Sequence, residues 1–92
     1  MSLSLDEYRC KLINKILLAS TLTEAKRYCD AAMKGFVLHK VNRHIVARFV
    51  GRMLSELDTY NQANMENQHW NNLQMAKIYF KVIKDRLNAP LN

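Results

Sequence analysis

The chain has 92 residues, 49% of them apolar and 24% charged, and carries a net charge of +6 at pH 7. That length suits one cooperative domain burying roughly 60 to 65% of its unfolded surface, and the balance of apolar to charged residues excludes a wholly disordered chain. The excess of cations points towards a polyanion, whether acidic protein, nucleic acid or anionic membrane, and carries no information about fold.

Cys10 and Cys29 are too few for a disulfide framework, and their spacing has no metal-binding pattern. They read as reduced thiols, with Cys29 on an apolar face. Asp6 and Glu7 interrupt any apolar leader, and the longest strictly apolar run is Ile16-Leu17-Leu18-Ala19, far short of the roughly 20 residues a membrane span requires. A cytoplasmic location is the expectation.

Helix formers dominate, and only Gly35, Gly51 and Pro90 punctuate them. Ser4 followed by Glu7 matches a capping box. Behind it Leu5, Tyr8, Leu12, Ile16 and Ala19 keep one face of a first helix reaching about Ser20, widened by Ile13 and Leu17. Thr21 with Glu24 repeats the signal. Leu22, Ala25, Cys29, Ala32 and Met33 then form the stripe of a second helix, which Gly35 is placed to stop, with Phe36 as the apolar contact after it.

A third helix starts between His39 and Asn42, buries Val46, Phe49, Val50, Met53, Leu54 and Leu57, and is extended by Tyr60 if its pattern persists. Gly51 falls on its solvent side. The segment from Asn61 to Asn72, rich in Asn and Gln, predicts a turn with a cap near Asn64 or Asn67. A fourth helix follows and ends before Pro90. Four helices on short links predict an all-α fold, an antiparallel four-helix bundle occupying residues 1–92 as a single domain. In the fourth helix the apolar residues spread over roughly 220° rather than the usual stripe. Either a central position in the bundle or a second covered face explains that arc. On the second explanation Met75, Ile78, Tyr79 and Val82 form a homodimer interface.

The most suggestive local feature is a window without carboxylates. Between Asp30 and Glu56 lie Lys34, Lys40, Arg43, Arg48 and Arg52, with His39 and His44 among them. At about 100° per residue, Lys40, His44, Arg48 and Arg52 share one stripe of the third helix, whose plain reading is a solvated face paired with carboxylates of neighbouring helices. The functional reading is an anion-binding face for an acidic protein, or alternatively for nucleic acid whose phosphates meet the same cations. Trp70, beside Gln74, Lys77 and Lys81, offers an aromatic surface next to amines, and its plain reading is a ring folded over the Asn-rich turn.

A phage-repressor type of helix-turn-helix fits Ala31, Gly35, Phe36 and Val41 only in spacing, since Lys34, Val37, Leu38 and His44 have the wrong polarity. His39 and His44 lie about 140° apart on a helix and cannot share a metal as an i, i+4 pair would. No phosphate loop or nucleophile elbow is present, and Asp6 with Glu7 suits the positive end of a helix dipole. The expectation is a non-enzymatic interaction protein without cofactor or metal.

Overall fold

The computed structural model describes residues 4–88, which form four α-helices and one short 3-10 turn. Helix α1 spans Leu5–Leu18, and the Ser4 hydroxyl accepts a 3.1 Å hydrogen bond from the Glu7 backbone N–H, as its capping box predicts. Helix α2 spans Leu22–Leu38 and is capped alike, with Thr21 Oγ1 accepting from the Glu24 N–H at 3.1 Å.

Helix α2 does not stop at Gly35. Its buried stripe runs Ala25, Cys29, Ala32 and Phe36, and ending the helix at Gly35 would take Phe36 out of the core. The helix closes one turn later. Val41 N–H donates to Phe36 C=O at 2.9 Å and Lys40 N–H donates to Val37 C=O at 3.1 Å, the bond pair of a Schellman motif. Lys40 occupies the C′ position with φ of 52°, the one left-handed non-glycine residue among those described. Helical backbone from Gly35 to Leu38 also removes the turn that a helix-turn-helix reading needs.

Helix α3 spans Arg43–Leu57, with Asn42 Oδ1 accepting from the His44 N–H at 2.8 Å. It buries Phe49, Val50, Met53 and Leu57. Tyr60 lies beyond its end, half-buried against the core, and Gly51 is partly buried but has open space where a Cβ would stand, on the solvent side as its position predicts. A 3-10 turn at Gln62–Asn64 leads into α4, Asn67–Asn88.

One cluster of buried side chains joins all four helices, from Leu12, Ile13 and Ile16 to Leu73, Ala76 and Phe80. Tyr8, Phe36 and Phe49 form an aromatic group, with centroid separations of 4.9 Å for the two Phe rings and 5.8 Å for Tyr8 and Phe49. Helix α4 packs against α1, α2 and α3, so most of its broad apolar arc is core. Met75 and Tyr79 are half-buried against that core, and the Tyr79 hydroxyl donates to Asp30 Oδ1 at 2.7 Å.

The Asn-rich segment is not all turn. Asn72 is fully buried inside α4, where its Nδ2 donates to Ala19 C=O at 2.8 Å and to Leu17 C=O at 3.4 Å. Its Oδ1 accepts from Gln68 Nε2 at 2.9 Å. Asn72 thus satisfies carbonyls that the end of α1 leaves without helical partners. At the other end of α4 the Arg43 guanidinium donates to the carbonyls of Leu87 and Arg86. Both contacts join residues near the start of one helix to the end of another.

Candidate functional site

The basic face is built by α3 and the turn before it. His44, Arg48 and Arg52 lie on the exposed side of α3. Lys40 precedes the helix and sits in the α2–α3 turn, displaced from the stripe by the Schellman closure. The face is therefore His44, Arg48 and Arg52 on the helix, with Lys40 set off at one end.

Its far end is neutralised from α1. Arg52 Nη1 lies 3.0 Å from Asp6 Oδ1. Arg9 joins the same group, with Nη1 2.6 Å from Asp6 Oδ1 and Nε 2.9 Å from Glu56 Oε2. The Arg9 hydrogen bond, aided by the charge of Arg52, holds the Asp6 carboxyl below its ordinary value of 3.8. The solvated, paired reading thus describes Arg52. It does not describe Arg48 or Lys40, which have no carboxylate within salt-bridge distance among the described residues.

Arg48 lines a cleft of about 210 Å³ between α1 and α3, together with the apolar Leu5, Ile45 and Phe49 and the ion-paired Asp6, Arg9 and Arg52. Leu5 and Ile45 are exposed. Apolar side chains therefore interleave with guanidinium groups on this face.

The second set of sequence candidates is divided by the structure. Trp70 is half-buried in the first turn of α4. Lys77 Nζ lies 3.0 Å from Asp58 Oδ1, so that amine is engaged, and Gln74 Nε2 is enclosed without a hydrogen-bond partner. Lys81 remains exposed and without a carboxylate partner among the described residues. Ile78 and Val82 are 68% and 45% exposed, so the free part of the suggested interface narrows to these two residues on one edge of α4.

Sequence reasoning missed Arg9, whose charge joins α1 to α3, and Arg43, which caps α4. Neither pairing is local in the chain, so no spacing signal announces it. Among the described residues no group of three or more His, Cys, Asp and Glu side chains could hold a metal ion, and no helix is long and apolar enough to cross a membrane. Compared with known proteins, the chain matches no family model, no curated sequence and no solved structure.

Proposed function

We propose that this chain is a non-enzymatic binding module that takes an acidic protein partner on the face formed by Lys40, His44 and Arg48. The observation that supports it is the mixed character of that face. Arg48 has no carboxylate within salt-bridge distance among the described residues and lines a cleft with the exposed apolar side chains of Leu5 and Ile45. Protein interfaces combine Arg with apolar contact, whereas a phosphate backbone is held by cations, neutral polar side chains and backbone N–H groups, with no need of apolar neighbours. Nucleic acid is the second reading, supported by the net charge of +6.

Fluorescence anisotropy with labelled poly-glutamate and with duplex and single-stranded DNA, each at two salt concentrations, separates the readings. The acidic-partner reading expects saturable poly-glutamate binding that Arg48→Glu weakens about tenfold. DNA binding that is tighter and falls steeply with salt reverses the order of the two.

Self-association belongs to the same proposal. Ile78 and Val82, one turn apart on α4, form its centre, and light scattering over a concentration series tests it. A monomer mass at every concentration refutes it. A dimer that Ile78→Lys dissociates without loss of helicity supports it.

A further inference from the structure

At the Lys40 end of the basic face a second cleft opens, of about 400 Å³, between the end of α2, the start of α3 and the end of α4. Phe36, Val41, Val46, Ile83 and Leu87 give it an apolar lining, and Lys40 and Arg86 stand among its lining residues. Arg43 also borders it, with its guanidinium committed to the carbonyls of α4. Neither Lys40 nor Arg86 has a carboxylate partner among the described residues. The apolar lining reaches the surface. Val37, in the lining, and Leu38 next to it, both in the last turn of α2, are 79% and 76% exposed.

We infer that this cleft seats the apolar residues of a short amphipathic acidic peptide segment, whose carboxylates meet Lys40 and Arg86. The inference rests on the acidic-partner reading above and says which part of such a partner docks and where. Three observations select the occupant. The two unpaired cations complement carboxylates. The volume lies within the range of roughly 300 to 1,000 Å³ typical of ligand clefts, enough for a few side-chain anchors. Exposed Val37 in the lining and Leu38 next to it carry the apolar area out to the surface, which suits the stripe of a helix laid in a groove better than one acyl chain. Nucleic acid fits poorly, because Phe36 is buried and presents no ring face for a base to stack on.

The cleft closes around Val41, and Val41 is held there by its bond to Phe36 in the Schellman turn. The same turn that displaces Lys40 from α3 thus places its amine beside the cleft. The order of residues along the chain explains the arrangement: an apolar residue at C″ packs inward, and the C′ residue before it projects from the turn.

The test uses the full chain, isotope-labelled for backbone NMR, and a synthetic 16-residue peptide with Leu on one helical stripe and Glu elsewhere. Shift changes are expected at Val37, Val41, Val46, Ile83 and Leu87. Val37→Glu and Arg86→Gln change exposed side chains, leave the spectrum folded, and should weaken binding about tenfold and several-fold. A peptide with Leu replaced by Ser should lose binding. If Val37→Glu has no effect while Arg48→Glu does, the cleft inference fails and the basic-face reading stands. If the reverse holds, the cleft stands and the α3 face loses its role. If neither variant matters, both fail. Displacement of the peptide by equimolar laurate makes the cleft a lipid site and overturns the inference. Shifts of the same resonances in Leu91→Asp alone would assign the cleft to the chain's own end and overturn it equally.

Discussion

Moving the glycine of the α2 terminus tests the account of how that helix ends. Gly35 lies inside α2, and a Cβ built there meets nothing within 4 Å. Gly35→Ala should therefore gain the helix-propensity difference, about 0.8 to 1.0 kcal/mol. Lys40 has φ of 52°, where an L-residue costs roughly 1 to 2 kcal/mol and glycine very little. Glycine's greater freedom in the unfolded chain offsets roughly half of that gain, leaving about 0.5 to 1 kcal/mol for Lys40→Gly. In a domain of this size 1 kcal/mol moves Tm by roughly 4 to 8 °C. Each variant should raise Tm by several degrees, and the double variant by about the sum, as measured by circular dichroism melting. Gly35 as the true stop would reverse the first result, because alanine at a left-handed C′ is strained. A fall in Tm for Gly35→Ala, or no gain for Lys40→Gly, refutes the Schellman assignment. Lys40→Gly also removes a cation from the cleft, so greater stability should come with weaker binding of the acidic peptide.

Asn72→Ala leaves the Ala19 carbonyl buried without its donor and should cost about 1 to 3 kcal/mol in urea unfolding, with an unchanged m-value. Asp6→Asn takes a carboxylate from Arg52 and Arg9 and should tighten poly-glutamate binding about two- to fivefold, the scale of a surface ion pair; unchanged affinity would show that Arg52 lies outside the site. Because the folded Asp6 carboxyl sits below 3.8, its ion pairs persist at that pH and are lost only as pH falls through the lower folded value, which a carboxyl NMR titration reads. Ellman's reagent at about pH 8 should modify the exposed Cys10 quickly and the buried Cys29 only through unfolding. Burial, with Asp30 nearby, pushes the Cys29 thiol from 9.0 up to about 12, so its contribution to stability is complete below about pH 9 and declines as pH rises towards about 12. A base titration in which Cys29→Ala is no less sensitive than the parent would contradict that assignment.

Much of the architecture could be read directly from residue order. Ser4 and Thr21 cap the first two helices because their signals are local, a hydroxyl three residues ahead of a Glu. The wide arc of α4 reports its contact with every other helix. Gly35 misled because a local stop competes with the demand that Phe36 reach the core, and burial of a Phe outweighs one glycine's preference. Asn72 could not be found from composition, since its carbonyl partners lie more than 50 residues earlier in the chain. The basic stripe failed in part for the same reason. The absence of carboxylates between Asp30 and Glu56 says nothing of α1, and Asp6 supplies Arg52 with a counter-charge from outside that window. The cleft was invisible because Val37, Val46 and Leu87 belong to three different helices and meet only near their ends.

The contact of α4 with all three earlier helices also sets when the protein can fold. During synthesis α1, α2 and α3 leave the ribosome first, and the rings of Phe36 and Phe49 join α2 to α3. Phe80, Leu73 and Ala76 arrive last, yet they complete the core. At roughly 5 to 20 residues per second, making the 22 residues of α4 takes about one to four seconds, during which the helices already outside the ribosome lack the side chains that complete their core. That interval is the chain's period of greatest exposure to aggregation and to chaperones, and a stop codon anywhere before α4 would make it permanent.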